Sequence, residues 1–389
     1  MSLEMSTSDG KQVGYVYSEE YVDLCCKMPR LEDRARLVHH LIQAYNLVDK
    51  MKVARPKPAS IEEICAFHSS DFVNTLQACN NFDMEDEITS EMTEYGLGYD
   101  CPLFPDVFSY ASFVTGGTVT AARLLTSRCC SIAINWFGGW HHAKRDMASG
   151  FCYCNDVVLG VLHLKTVFDK ILYIDLDLHH GDGVEDAFLM TDKVFTLSFH
   201  KYAPGFFPGT GSISTIGKGK GQYYTLNIPL KDGITDQKYT DLFHEVFTNL
   251  MQAFQPNAVV CQFGADGLVE DPMRSFNLTS LSLGKCLSDI LSYNLPTLCL
   301  GGGGYNFTNT AKCWCYLTSI ILKQKLDTQI PEHQFFDRYG PDFELFLSPS
   351  NRSDTNESSY VKEIREKTLE NISHIAECYG VSHRRKRSK

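Results

Sequence analysis

A chain of 389 residues, 43% hydrophobic and 12% aromatic, carries enough apolar side chain for a large core organised by one big sheet, in one large α/β domain or two. Its formal net charge of −11, with 21% charged residues, disfavours direct binding to nucleic acid or to an anionic membrane surface and suits basic partners better. No stretch reaches the apolar length of a membrane span, and the polar start MSLEMSTSDGKQ lacks a signal-peptide pattern, so an intracellular protein is expected.

Residues 1–12 read as a flexible N-terminus. Short apolar runs rich in β-branched residues then recur at 131–135, 170–175, 194–199, 224–228, 258–263 and 297–300, and several look fully buried. Longer segments with helical spacing lie between many of them, for example 239–254. This alternation predicts a mostly parallel central sheet with helices on both faces. Residues 347–359 (LSPSNRSDTNESS) form a polar connector, and 360–379 an amphipathic helix that turns Val361, Ile364, Ile372 and Ile375 toward the body. The ending HRRKRSK, within a basic tail over 380–389, reads equally as a frayed solvated end or a nuclear import signal. Fifteen cysteines, an odd number set in apolar strings such as CCSIAI and NAVVCQF and without C-x-x-C spacing, fit buried reduced thiols better than a secreted disulfide framework or a structural metal site.

The chemistry gathers where the runs end. In LYIDLDLHHGDG, a strand period of two puts Asp175, Asp177 and His179 on one face and Ile174, Leu176 and Leu178 on the other. A half-exposed strand with a solvated polar face would produce the same alternation. The choice of Asp and His alone, and the doubled His179-His180 before Gly-Asp-Gly, favour metal binding or catalysis. Other run ends repeat the pattern: His141 and His142 follow a glycine turn in NWFGGWHHAKRD, Asp266 closes QFGAD, and Tyr305 follows four glycines in LCLGGGGYN. In an open α/β sheet, ligands bind beyond the carboxyl ends of the strands. Asp177, His179 and Asp266 supply oxygen and nitrogen donors suited to Zn²⁺ with positions left open for water and substrate, the pattern of a catalytic site. His39, His40, His68, His163, His244 and His374 are read as core or surface residues.

The motifs GGWHHAKRDMASGFCYCND, DLDLHHGDGVEDAF, GFFPGTG, GAD and GGGGYN, in that order, resemble the zinc-dependent class I histone deacetylases. The resemblance runs from about Val13 to the final helix, and EYGLGYDCP, KYAPGFFPGTG, the DPM at Asp271 to Met273 and the lack of a long acidic tail resemble a short member of that class. It implies one arginase/deacetylase-like domain over 13–379, with the active site at the C-terminal strand ends. It further implies zinc on Asp177, His179 and Asp266, His142 as general base and acid, His141 as electrostatic partner, Asp175 and Asp182 holding the outer imidazole nitrogens, and Tyr305 as donor to the oxyanion. Phe151 and Phe207 would wall a tunnel for the acyl-lysine stem, with Gly150, His179, Met273 and Tyr305 also lining it and Asp100 at its rim. Apolar walls suit a lysine stem, which is a row of methylenes.

The resemblance also implies monovalent cation sites, with K⁺ expected, at Asp175, Asp177, His179, Ser198 and Phe199 and at Phe188, Thr191, Val194 and Tyr224. Arg34 matches an internal arginine near a product channel. Fe²⁺ can share the zinc ligands, since metal availability decides occupancy. The expected partners are acetyl-lysine proteins, basic histone tails among them, in nucleus and cytoplasm. The chain departs from the family pattern at Phe137, where a small residue is usual, and at Cys154, Gly267 and Glu270; the bulk of Phe137 should reshape the cavity beneath the metal. A deacetylase of a small amide such as an acetylpolyamine, a two-metal manganese ureohydrolase and a non-catalytic chromatin scaffold are the alternatives, separable by metal content.

Overall fold

The computed structural model describes residues 13–83 and 85–386, and for 376–386 the course of the backbone alone. Its centre is one eight-stranded sheet in which every pairing is parallel. The strands are β1 (Val13–Val16), β2 (Lys52–Ala54), β3 (Ile132–Asn135), β4 (Ile171–Asp175), β5 (Val194–Lys201), β6 (Thr225–Leu230), β7 (Ala258–Gln262) and β8 (Thr297–Leu300). They lie in the order β2-β1-β3-β8-β7-β4-β5-β6. All residues of β4, β7 and β8 are buried, as they must be when helices cover both faces of a parallel sheet.

Six of these strands coincide with the apolar runs of the sequence. The two that do not, β1 and β2, are four and three residues long, too short for periodicity to register, and β2 is a solvated edge. At the opposite edge β6 continues through Pro229 to Leu230, beyond the expected end at 228; an edge strand tolerates proline because one of its sides makes no ladder bonds.

The helix Asp236–Phe254 begins one turn before the expected 239–254 and buries Phe243, Phe247 and Leu250. The connector over 347–357 is strapped to the body, with Ser350 and Asn277 exchanging hydrogen bonds of 2.8 and 2.9 Å and Asn356 accepting from Lys231 N at 2.8 Å. The final helix, Ser358–Lys386, buries Ile364, Ile372 and Ile375, with Val361 half-buried. Its backbone continues past 379 into the basic ending; residues 1–12 and 387–389 lie outside the described residues. Among the described residues the cysteines are free thiols, mostly buried, and no helix is long and apolar enough to cross a membrane.

Candidate active site

β3, β8, β7 and β4 are neighbours in the middle of the sheet, so the segments leaving their carboxyl ends converge. The β4 ladder closes at Asp175, earlier than a continuous strand face through His179 requires. What keeps the next residues aligned is a chain of carboxylate-to-backbone bonds. Asp177 N donates to Asp175 Oδ1 (3.1 Å), His179 N to Asp177 Oδ1 (3.0 Å) and Leu178 N to Asp266 Oδ1 (2.9 Å). Asp177 Oδ2 is held by Gln262 Nε2 (2.7 Å) and Gly303 N (2.9 Å).

One donor atom from each of Asp177, His179 and Asp266 lies within 4.8 Å of the others, and all three residues are buried. His179 Nδ1 stands 2.8 Å from Asp266 Oδ2 and 3.3 Å from Asp177 Oδ1. Burial disfavours charge on His179, yet the two carboxylates outweigh it and push the pKa up to about 10. Burial and the charge of Asp177 push Asp266 up to about 7. Two carboxylate oxygens with one imidazole nitrogen match the donors of a catalytic zinc site. The residues present therefore fit a divalent metal.

Beside this trio stand His141 and His142, their Nε2 atoms 3.0 Å apart. His141 Nδ1 pairs with Asp175 Oδ2 at 2.7 Å, and the same oxygen accepts from Tyr173 OH at 2.6 Å. His142 Nδ1 pairs with Asp182 Oδ1 at 2.7 Å, while Lys144 Nζ bridges Asp182 Oδ2 (2.7 Å) and Asp186 Oδ2 (2.6 Å). For His141 burial opposes the charge, but Asp175 and Asp177 prevail and raise the pKa to about 9. Burial and the neighbouring His141 push His142 down to about 3. The two shifts run in opposite directions, and His142 turns Nδ1 to Asp182 and Nε2 to His141.

The histidine pair is aimed by the turn before it. Gly139 has φ +99°, and a Cβ there would lie 2.5 Å from Gly301 O. The buried carboxylate of Asp156 fastens this turn by accepting from Gly139 N (2.9 Å) and Trp140 N (2.8 Å).

Above the trio opens a cavity of about 250 Å³. Asp100, Gly150, Phe151, Phe207, Met273 and Tyr305, the residues expected to contact substrate, all line it, with His142 and His179. Phe206 joins them unforeseen, its ring stacked on His179 at a centroid distance of 5.1 Å; the doubled FF of GFFPGTG was the available signal. Phe207 meets His142 edge-on at 4.9 Å, and Phe151 meets Tyr305 at 5.8 Å. Asp100 Oδ2 accepts from Gly150 N at 2.6 Å, which fixes one wall and leaves Oδ1 as a further acceptor. Burial of the Tyr305 phenol and the charges of Asp266 and Asp177 push its pKa well above the ordinary value, so it holds its proton as a donor.

Residues 28–321 match the family profile described as histone deacetylase domain. The chain belongs to the histone deacetylase family. It is 53% identical to histone deacetylase 8 of Xenopus tropicalis over 90% of this chain and 95% of that one. It is 49% identical to histone deacetylase 8 of Danio rerio over 94% and 97%, and 42% identical to histone deacetylase 1 of Homo sapiens over 96% and 76%. These similarities agree with the class I resemblance of the motifs.

Within this histone deacetylase, Ser198 pairs in register with Asp175 across β4 and β5, with Phe199 next to it. Phe188, Thr191, Val194 and Tyr224 gather where the helix Asp182–Phe188 turns into β5, with Thr191 N donating to Phe188 O and Thr196 N to Tyr224 O. Arg34 is buried, donates to Gly302 O (2.9 Å) and Gly304 O (3.0 Å), and lies over the Trp140 and Trp314 rings. Phe137 is buried and packs edge-on against Tyr21 at 5.4 Å.

Proposed function

We propose that this protein hydrolyses the acetyl or acyl amide of N6-acetyl-lysine in histones or other proteins, releasing lysine and acetate. The observation that carries the reading is convergence: His179 of the candidate metal trio, His142 of the histidine pair and Tyr305 line one cavity whose other walls include Phe151, Phe206, Phe207 and Met273. Apolar walls suit a methylene stem. Among the described residues the metal-ligating trio is a single group, which favours a mononuclear site over a two-metal ureohydrolase.

Asp177, His179 and Asp266 would hold Zn²⁺, which would supply a Lewis acid for the amide carbonyl and a water of lowered pKa. His142 Nε2 takes the proton of the attacking water as general base and returns it to the lysine nitrogen when the C–N bond breaks. Asp182 holds the tautomer that makes this possible, and His141, charged and held by Asp175, stabilises negative charge beside it. The Tyr305 hydroxyl donates to the carbonyl oxygen as that oxygen gains charge. Asp100 accepts from the substrate backbone at the rim. K⁺ is the proposed ion for the two monovalent sites, and Fe²⁺ is compatible with the zinc donors. Basic histone tails match the negative protein, and such substrates place the reaction in the nucleus, with non-histone substrates in the cytoplasm.

The test is steady-state deacetylation of an acetyl-lysine peptide by zinc-loaded protein beside Tyr305→Phe and Asp266→Asn. Turnover in the wild type that drops at least about 100-fold in both variants is expected. Absence of wild-type turnover on acetyl and longer acyl peptides despite bound zinc would overturn the reading.

A further inference from the structure

Asp271 is a buried carboxylate, 1% exposed, that no step above employs. Its partners are main-chain N–H groups: Oδ1 accepts from Met273 at 2.9 Å, and Oδ2 from Tyr305 at 2.8 Å and Asn306 at 3.2 Å. A carboxylate in this setting is costly to bury without a cation beside it. Three N–H donors and the start of the helix Phe307–Ile321, capped by Asn306, are what hold it.

Those donors come from two separate segments that line the cavity, Met273 on one and Tyr305 on the other. The turn that carries Asp271 is itself constrained, because the non-glycine residues Glu270 and Arg274 on either side have φ of +64° and +48°. Tyr305 has unequal neighbours. Before it lie glycines, Gly302 and Gly304 with φ of +142° and +133°, in a turn that Arg34 holds through Gly302 O and Gly304 O and Asp177 through Gly303 N. At the N–H of Tyr305 itself the partner is Asp271.

We infer that Asp271 is a positioning residue: its carboxylate fixes the backbone of Tyr305 relative to the Met273 wall, so that the phenol reaches the reacting carbonyl by side-chain rotation alone. This rests on the proposed role of Tyr305 as oxyanion donor. A loosened Tyr305 would still admit substrate but would meet the transition state less often, so the loss falls on kcat rather than on KM.

The experiment is a double-mutant cycle on the zinc-loaded protein with an acetyl-lysine peptide: wild type, Asp271→Asn, Tyr305→Phe and the double variant. Asparagine keeps the shape and one acceptor but turns an N–H toward N–H donors. The expected result is a kcat about 10- to 100-fold lower in Asp271→Asn with KM within about threefold, and an added loss below about threefold when Tyr305 is already Phe, because contacting residues that act as a unit are not additive. Zinc content and melting temperature are followed in every variant; if Asp271→Asn does not fold, Asp271→Glu takes its place in the cycle. A full multiplicative loss in the double variant, a loss confined to KM, or an unchanged kcat in the single variant overturns the positioning role while leaving the function standing. Undiminished turnover in Tyr305→Phe overturns the reading of the phenol and this inference with it.

Discussion

His179 shows most directly how a local environment sets chemistry. Its Nδ1, between Asp177 and Asp266, holds a proton up to about pH 10, and a metal needs the lone pair that this proton occupies. Loading the apo-protein near pH 8 should therefore release at least one proton per ion. Affinity should weaken about tenfold for each pH unit lost between about 9 and 7, since falling pH favours the competing proton. Burial and the charge of Asp177 also raise the pKa of the Asp266 carboxyl, so the slope should steepen toward lower pH. Calorimetry in two buffers of different ionisation enthalpy measures both quantities, and a constant affinity across that range would rule this out. The sign for the fold of the apo-protein is the reverse. A raised histidine pKa stabilises fully below its ordinary value of about 6.5, and the contribution is lost as pH rises through about 10.

Among the elements, the turn that follows β8 has the least room for change. Gly303 donates its N–H to Asp177 Oδ2, and a Cβ on it would lie 2.3 Å from Asp266 Oδ2 and 3.1 Å from Asp177 Oδ2. β7 and β8 are adjacent, so this turn packs directly onto Asp266 and Asp177, which follow β7 and β4. An added methyl must push one of these carboxylates aside. Gly303→Ala should weaken metal binding by about 10- to 100-fold, the usual effect of disturbing the groups that orient a ligand. Competition with a fluorescent chelator reads this, and wild-type affinity in a folded variant would refute it. The element also explains why four glycines precede Tyr305: the turn and the carboxylates of Asp177 and Asp266 share a space that side chains would fill.

For the whole molecule, the net charge of −11 gives the surface a field that basic peptides sense before contact. Asp83, Glu85, Asp86 and Glu87 are exposed and precede Asp100, which lines the cavity. With a Lys-rich acetylated peptide, kcat/KM should fall about tenfold from low to about 0.5 M salt, through association rather than chemistry. A neutral peptide should change much less. Replacing Glu85, Asp86 and Glu87 by serine should flatten the dependence for the basic peptide, and an unchanged salt slope would remove the steering role from this loop.

The amino-acid sequence by itself determined what period and composition encode locally. Buried apolar runs became β3, β4, β5, β6, β7 and β8, and the Asp, His and Tyr residues past their ends stood out as candidate ligands and catalysts because such groups are costly there without a purpose. Tertiary structure decided what depends on distant pairs. The adjacency of β3, β8, β7 and β4 cannot be read from spacing. Neither can the link from Asp156 to the turn at Gly139, from Gln262 to Asp177, or from Lys144 through Asp182 to His142. The opposite directions of the pKa shifts in the 141–142 pair are equally absent from spacing. The two are chemically identical in the sequence, and only the placement of Asp175 and Asp177 around His141, with burial and a charged neighbour acting on His142, raises the pKa of one and lowers that of the other.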